Sequence, residues 1–385
     1  MWRHIASNAL TFLAVLLFLA GGVVIWGRSQ YLSEGPLEQA ICVQVERGTN
    51  LRAVSRNLEG QGAVTSGAIL RIGADYMDKA QDLKAGSFLV PEGASMAEIV
   101  DIVTRGGAST CGTEIVYRIG VTAAEIQVRE LDPASGRYAE RAKFAPGDAE
   151  TNPVYAEMRA KDDTRYRVAL AEGVTSWQVV QELASLDLLE GEAEVPAEGS
   201  LAPDSYEVQP GDTLDSVIAR MQGAQEAILA DAWENRADDL PLETPEEALI
   251  LASIIEKETG NAEERGQVAS VFTNRLRADM PLQTDPTVIY GVTEGKGVLG
   301  RGLRRSELDR ETPWNTYVIK GLPPTPIANP GRASIVAALN PADTDFIYFV
   351  ARTLDPADGH NFAVTLDEHN RNVTAYRALE AQRNQ

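Results

Sequence analysis

The 385-residue sequence has few cysteines, few histidines and too little positive charge to balance its acidic residues. Two cysteines and three histidines form no CxxC motif and no Cys/His cluster, so we expect no metal site, and no cofactor motif is present. The formal net charge of −21 disfavours nucleic acid as a partner, because such a surface repels phosphates. The most basic short stretch, Arg301 to Arg305, holds only three arginines. The remaining composition is that of a globular protein of two or three domains.

Charged residues are also missing from Ile5 to Gly27. The apolar run from Ala9 to Trp26 is long enough for one membrane-spanning helix, and tryptophans stand near both of its ends. A cleaved signal peptide is the alternative, but no small-residue cleavage site precedes Arg28. We therefore predict an uncleaved single-pass anchor. The flanking charges alone leave its orientation open.

Four segments share a short apolar strand, a glycine, a hydroxyl residue and an amphipathic helix. Their glycines are Gly48, Gly93, Gly173 and Gly211. The glycine permits the turn, and the serine or threonine can cap the helix. The fourth copy, Tyr206 to Leu214, resembles the opening of a LysM module, a type that binds N-acetylglucosamine polymers. The alternative is that strand, glycine and helix form merely a common turn, so a glycan ligand depends on the rest of the chain.

Between the second and third copies the pattern breaks. Apolar residues alternate from Ile115 to Ile119 and from Ile126 to Val128, which predicts a β-hairpin inside an otherwise irregular connector. Cys42 and Cys111 bracket the first two copies. A disulfide between them is predicted if this region lies in an oxidising compartment, since compact domains often have close ends. The alternative is a buried free Cys42 and an exposed Cys111.

The C-terminal part opens with a helix start, in which Thr244 can act as N-cap and Glu247 can complete a capping box. Ala248 to Ile255 is almost entirely apolar and predicts a buried helix that ends in Glu256. Apolar surroundings and the negative end of a helix both favour a neutral carboxylic acid. Cleavage of a glycosidic bond needs such a proton donor, so Glu256 is the predicted catalytic acid. The alternative is a surface glutamate paired with Lys257.

The segments that follow Glu256 predict a β-rich lobe. Thr287 to Tyr290 and Pro313 to Gly321 favour strands, and Phe346 to Ala351 with Asn361 to Thr365 predicts a hairpin. Polar and aromatic side chains on these segments suit sugar hydroxyl and acetamide groups. The predicted substrate-binding residues, lining a groove beside Glu256, are Gln283, Asp285, Asn315 and Tyr317.

Four motifs resemble the YceG-like (MltG) family of endolytic murein transglycosylases: Leu251 to Thr259, Val268 to Leu276, Leu282 to Gly291 and Asn315 to Pro324. The resemblance is dense from Thr244 to the C-terminus and thinner back to Cys42. It implies a peptidoglycan lytic transglycosylase that cleaves the MurNAc-GlcNAc β-1,4 bond within nascent strands, leaving 1,6-anhydroMurNAc ends, with Glu256 as its acid. It also implies a single-pass inner-membrane protein with a cytoplasmic N-terminus and a periplasmic body, and cell-wall synthases as candidate partners.

Two alternatives remain. A muramidase would hydrolyse the same bond and would need a second carboxylate, for which Asp285 and Glu258 are candidates. A non-catalytic peptidoglycan-binding adaptor would use only the LysM-like modules.

The expected fold class is α+β, with an N-terminal transmembrane helix, LysM-like βα modules and a C-terminal lysozyme-like α+β catalytic domain. The expected domains are a cytoplasmic tail (1–8), the transmembrane helix (9–27), a linker (28–40), a LysM-like module (41–108), a connector with a β-hairpin (109–165), a second βα and helical region (166–240) and the catalytic domain (241–385).

Overall fold

The computed structural model describes residues 2–105, 109–161 and 163–383, with side chains from residue 11 onward. The chain divides into two compact units. Unit 1 comprises Met1–Val116 and Ile126–Tyr166, and unit 2 comprises Tyr117–Glu125 and Arg167–Gln385. Helices and strands mix in both, which confirms the α+β class. The expected domain boundary at residue 108 lies outside the described residues.

The first half of the chain contains these elements: α1 (Trp2–Leu32), β1 (Ile41–Val45), α2 (Leu51–Gly60), α3 (Gly67–Tyr76), β2 (Gly86–Val90), α4 (Met96–Thr104), β3 (Thr113–Ile119), β4 (Ala124–Asp132), β5 (Arg137–Phe144), a 3₁₀ helix (Pro146–Thr151), α5 (Pro153–Arg159), β6 (Arg165–Leu170) and α6 (Ser176–Ala184).

The second half contains β7 (Ser205–Val208), α7 (Leu214–Glu234), α8 (Pro245–Glu258), α9 (Arg265–Arg277), α10 (Asp285–Thr293), α11 (Arg305–Leu308), α12 (Arg332–Leu339), β8 (Tyr348–Ala351), a 3₁₀ helix (Pro356–Asp358), β9 (His360–Ala363) and α13 (Leu366–Arg383). The described strands form two two-stranded sheets, β1-β2 and β8-β9, and one five-stranded sheet in the order β5-β4-β3-β6-β7.

All four predicted strand–glycine–helix segments have that structure. The glycines adopt positive φ angles of 76°, 66°, 79° and 91° at Gly48, Gly93, Gly173 and Gly211. Each following helix has a side-chain N-cap, provided in turn by Asn50, Ser95, Thr175 and Thr213. The first copy therefore uses Asn50 in place of the expected Thr49. Local chemistry alone accounts for these turns, because a glycine relieves the left-handed backbone and a short polar side chain satisfies the helix start.

Unit 1 contains the first two copies. Their strands β1 and β2 pair antiparallel, with Ile41 opposite Val90 and Val45 opposite Gly86. Helices α2, α3 and α4 cover the sheet and bury a core that includes Leu58, Leu70 and Ile99. The expected β3–β4 hairpin is present, with its residues Tyr117–Glu125 in unit 2 and its remaining residues in unit 1.

The apolar N-terminal helix is longer than expected. Thr11–Leu32 is apolar and long enough to cross a membrane, and the helix continues to Leu32. The expected linker from 28 to 40 is therefore helical in its first part. Tyr31 and Leu37 are buried in the core of unit 1, so the helix joins this core directly.

The structure confirms the predicted disulfide. Cys42 and Cys111 are bonded, with Cα atoms 5.7 Å apart and a separation of 69 positions in the sequence. The bond joins β1 to the segment after α4, at the two ends of the pair of modules.

Unit 2 has its core between α8, α9 and α12. This core contains Leu251, Ile254 and Ile255 from α8 together with Phe272 and Leu339. The predicted C-terminal hairpin is confirmed, since β8 and β9 pair antiparallel from Tyr348 opposite Ala363 to Ala351 opposite His360. Its Phe349 ring packs edge-on against Phe272, which joins the hairpin to the core.

Replacing both cysteines with serine should lower the free energy of unfolding of unit 1. In the chain-entropy model a closed loop of about 70 residues is worth about 4 kcal/mol. Thermal or urea unfolding with and without dithiothreitol measures the effect. Reductant should weaken the native chain and leave the double variant unchanged, since Cys42 and Cys111 are the only cysteines. Equal stability of the native and double-variant chains would contradict the prediction.

Candidate active site

Helix α8 carries the predicted catalytic acid at its C-terminal end. The N-terminus of α8 has the predicted N-cap but lacks the predicted capping box. Thr244 Oγ1 accepts from the Glu247 N–H at 3.2 Å, but the Glu247 carboxylate accepts from the Glu243 N–H at 2.6 Å, so the expected capping box does not form. The helix is buried through Ile255 and then ends in Glu256, Lys257 and Glu258. Successive residues on a helix point about 100° apart, so these three side chains leave α8 in different directions.

Glu256 faces the start of α12. Its Oε2 accepts hydrogen bonds from the Gly331 N–H at 3.1 Å and from the Ser334 hydroxyl at 2.7 Å. The Glu172 carboxylate lies against Gly331, where a Cβ would clash with it. Burial, together with the nearby charge of Glu256, raises the pKa of Glu172. These two hydrogen bonds make Glu256 a tie between α8 and α12.

Lys257 turns toward the third strand–glycine–helix copy. Its Nζ donates to the Gly173 carbonyl at 3.2 Å, and burial lowers its pKa. The turn is fixed further by Asn329, which exchanges backbone hydrogen bonds with Gly173 and Val174, both at 2.9 Å. The side chain of Asn329 is fully buried and donates to the Val174 carbonyl. The third copy therefore supports the end of α8.

Glu258 faces the segment that precedes α10. Its Oε1 accepts a hydrogen bond from the Thr284 hydroxyl. Burial raises the pKa of the Glu258 carboxyl, and this effect outweighs the opposing influence of the Thr284 hydrogen bond and of the charges of His360 and Arg275. A glutamic acid whose pKa is raised is suited to act as a general acid.

Asp285 and Tyr317 lie on the side of Glu258. The Tyr317 hydroxyl donates to Asp285 Oδ1 at 2.6 Å. Burial raises the pKa of Tyr317, and the charges of Asp285 and Glu258 add to the effect. Asp285 also raises the pKa of Glu258 through its charge. The predicted pair is thus brought together, beside Glu258, whereas the contacts of Glu256 lead to α12.

Gln283 has an exposed side chain next to Thr284. Its backbone adopts φ 49°, an uncommon left-handed conformation, and its N–H donates to the Thr316 carbonyl at 3.0 Å. Thr316 also holds Thr284, whose N–H donates to the Thr316 hydroxyl at 3.1 Å. Hydrogen bonds to Thr316 therefore fix the backbone of the segment before α10, and the side chain of Gln283 is exposed to solvent.

Asn315 does not line an open surface. Its side chain is fully buried, and its amide donates to the carbonyls of Glu307, Leu308 and Arg310 at 3.2, 3.0 and 2.6 Å. Its Oδ1 accepts from the Tyr317 N–H at 3.0 Å. This differs from the expected place in a groove. Asn315 holds the chain behind Tyr317, and its amide has no remaining N–H for a ligand.

Two predicted strands are wrong. Thr287 to Tyr290 belongs to helix α10, and Pro313 to Gly321 forms consecutive turns. In the first case Pro286 lies in the first helical turn, where it is tolerated, and burial of Thr287 and Val288 overrides their strand preference. In the second case the backbone bends around Asn315, whose carbonyl accepts from the N–H groups of Val318 and Ile319.

Glu264 and His360 were not predicted to belong to the site. The Glu264 carboxylate accepts from the Thr259 hydroxyl at 2.7 Å and from the His360 N–H at 2.8 Å, and its Oε1 lies 2.7 Å from His360 Nδ1. Burial opposes its charge, but these hydrogen bonds outweigh it and lower the pKa of Glu264. Thr259 directly follows Glu258, so Glu264 joins the end of α8 to the β9 strand. Glu264 and His360 are 96 positions apart in the sequence, so local sequence patterns do not show this pair.

Arg275 braces the same region from α9. Its side chain is largely buried and donates to the Leu282 carbonyl at 2.8 Å and the Ile347 carbonyl at 2.7 Å. Its guanidinium lies 5.4 Å from the centre of the Tyr348 ring. The segment before α10 and strand β8 are therefore held by one side chain.

Comparison with known proteins places the chain in a family. Residues 124–375 match the model of the YceG-like family. An "endolytic murein transglycosylase" of Streptococcus pneumoniae serotype 2 is 27% identical over 97% of the chain, which spans 66% of that protein. A Bacillus subtilis protein of the same description is 28% identical over 93% of the chain and 91% of its own length.

A crystal structure of a protein described as yceG-like from Listeria monocytogenes is 23% identical, with a TM-score of 0.46, over 87% of this chain and 99% of that one. The family model covers well over half of the sequence, including α8 and every predicted site residue. The chain belongs to the YceG-like family.

Proposed function

We propose that the chain is an endolytic lytic transglycosylase that cleaves the MurNAc-GlcNAc β-1,4 bond within peptidoglycan strands. The observation that carries the proposal is the placement of Glu258, whose carboxyl accepts a hydrogen bond from Thr284 and lies within the influence of the exposed Asp285, in surroundings that raise its pKa. The descriptions of the S. pneumoniae and B. subtilis relatives, "endolytic murein transglycosylase", support the same reaction class.

The reaction needs one carboxyl group. The acid donates its proton to the glycosidic oxygen while the bond from that oxygen to the MurNAc anomeric carbon breaks. The 6-hydroxyl of the same MurNAc attacks the anomeric carbon and returns its proton to the carboxylate. The product is a 1,6-anhydro end, no water is consumed, and the acid is restored for the next cycle.

We assign this role to Glu258 and retain Glu256, the residue predicted from the sequence, as the alternative. Burial favours the protonated form of Glu258, which is what a proton donor requires. Glu256 instead accepts two hydrogen bonds at the start of α12, so its carboxylate already has structural partners. Asp285 and Tyr317 lie beside Glu258, so a sugar bound there would meet the acid and the polar groups together.

Gln283, Asp285 and Tyr317 are proposed to contact the glycan, and Asn315 to position Tyr317 from behind. One observation favours a muramidase as the second candidate. Asp285 is a carboxylate close enough to influence Glu258, and a hydrolase needs such a second group to activate water.

The cellular setting is proposed with the activity. The apolar helix Thr11–Leu32 fits a single-pass anchor, and the proposal places it in the inner membrane with the body on the periplasmic side. The Cys42–Cys111 disulfide supports a compartment outside the cytoplasm, because disulfides persist in oxidising environments. Cell-wall synthases are proposed partners. We also propose that the strand–glycine–helix copies are LysM-like.

Glu258→Gln should reduce strand cleavage by at least about 100-fold, since an amide cannot donate the required proton. Glu256→Gln is the matched control two residues away. It should keep cleavage within about tenfold, because general-acid catalysis is retained, although the chain should unfold more easily. Both variants are tested by digestion of purified sacculi and by thermal unfolding. The opposite pattern, with loss only in Glu256→Gln, would restore the sequence-based assignment.

The products of digestion should carry 1,6-anhydro ends. Mass spectrometry separates them from the reducing ends that a muramidase would leave, because hydrolysis adds one water per cleaved bond. The Asp285→Asn variant should still give products with 1,6-anhydro ends. Reducing ends from the native enzyme would instead favour the muramidase, and undamaged sacculi would favour a non-catalytic adaptor.

Activity should be present at low pH and lost as the pH rises through the raised pKa of Glu258, because only the protonated acid donates. Thr284 opposes that raised pKa by its hydrogen bond. Thr284→Val should therefore move the alkaline limit of kcat/KM to higher pH, and Thr284→Ser should keep it in place. Identical pH profiles for the valine and serine variants would argue against Glu258 as the acid.

A further inference from the structure

Helix α3 in unit 1 exposes an apolar surface. Ile72, Tyr76 and Met77 have 69%, 89% and 53% of their surface open to solvent. Ile72 and Tyr76 are four residues apart on the same side of α3, and Met77 caps its end. The opposite side of the helix buries Leu70 and Ala74 in the core. Three large apolar side chains grouped in this way are typical of an interaction surface.

This surface adjoins the last turn of the apolar helix α1. The ring of Tyr31 lies against Gly73, so closely that a Cβ on Gly73 would come within 2.3 Å of it. Gly73 directly follows Ile72 and is one helical turn from Tyr76 and Met77. The exposed residues of α3 therefore surround the point where α1 enters the folded unit.

The geometry of α1 sets the distance of this point from a membrane. Trp26 is exposed on α1, and tryptophan prefers the interface between lipid and water. Tyr31 follows five residues later, which is a rise of about 7 Å along the helix axis. That distance is about the thickness of one headgroup layer. Since α1 continues without a break to Leu32, a membrane crossed by α1 would have the α3 surface at about this depth.

We propose that Ile72, Tyr76 and Met77 form a docking surface for the lipid bilayer next to the α1 anchor. The attraction is apolar. The neighbouring cations are already engaged, since Arg71 donates to Ser55 and Lys79 pairs with Asp101, and the chain carries a net charge of −21. Tyrosine is favoured at a bilayer interface because it combines an apolar ring with a polar hydroxyl. The proposal rests on α1 being the membrane anchor, as proposed above.

The opposite end of unit 1 offers a control position. Gly93 exchanges hydrogen bonds with Gly35 and Leu37, just after α1, and so marks the end of the β1–β2 sheet that is close to the anchor. Arg47 is exposed and follows the other end of β1. The five residues of this strand separate the two ends by about 16 Å.

The test uses the full chain in nanodiscs. Ile72→Cys and Arg47→Cys each introduce a single reactive thiol, since the native cysteines are paired, and each is labelled with an environment-sensitive fluorophore. Nitroxide-labelled lipids should quench the label at 72 at least about twofold more than the label at 47. Phosphatidylcholine and phosphatidylglycerol nanodiscs should give similar quenching, because charge is not the attraction.

The combined change Tyr76→Ser and Met77→Ser should bring quenching at 72 down to the level at 47. Equal quenching at 72 and 47 in the otherwise native chain would overturn the proposal. So would protection of position 72 that increases with protein concentration without lipid quenching, because a second copy would then cover the surface. Failure of the chain to remain with the nanodisc would remove the anchor and overturn the docking surface with it. Digestion of sacculi by the same samples reports on transglycosylation separately.

Discussion

The structure of unit 2 depends on the C-terminal end of the buried helix α8, where three charged side chains need partners. Helix α8 is buried through Ile255 and then presents three charged residues in succession, none of which can remain in an apolar core without a partner. Because they diverge by about 100° each, one structural element cannot satisfy them all. Glu256 binds the start of α12, Lys257 binds the turn at Gly173, and Glu258 binds Thr284. The elements of the site are arranged around these three requirements.

The sequence predicted the parts of this arrangement that depend on local chemistry. The four strand–glycine–helix segments, the buried helix α8 and the C-terminal hairpin follow from glycine, capping residues and apolar patterns within about twenty residues. The Cys42–Cys111 bond was also accessible, because two cysteines permit only one pairing. The likeness of the four motifs to the YceG-like family is confirmed by the family match over residues 124–375.

Other features depend on the direction of a side chain or on a partner far away in the sequence. Glu256 and Glu258 are indistinguishable by composition, and only the path of the neighbouring chain shows which carboxylate faces Asp285 and Tyr317. Thr287 and Val288 favour strands as isolated residues, yet burial in α10 decides their conformation. Glu264 binds His360, which is 96 positions away in the sequence. The sequence suggested Asn315 as a sugar ligand because it does not show that the Asn315 amide donates to three backbone carbonyls.

The repeated module has more than one structural role in this chain. In unit 1 the first two copies pair through β1 and β2 and enclose a core that also takes in Tyr31 from the apolar helix. In unit 2 the turn of the third copy receives Lys257 and exchanges hydrogen bonds with Asn329. That copy is therefore part of the framework behind α8, with its Gly173 backbone occupied. Because the backbone of this turn is already hydrogen-bonded, it has fewer groups free to bind a glycan. Sugar binding by these modules is therefore better sought on the exposed residues of the other three copies.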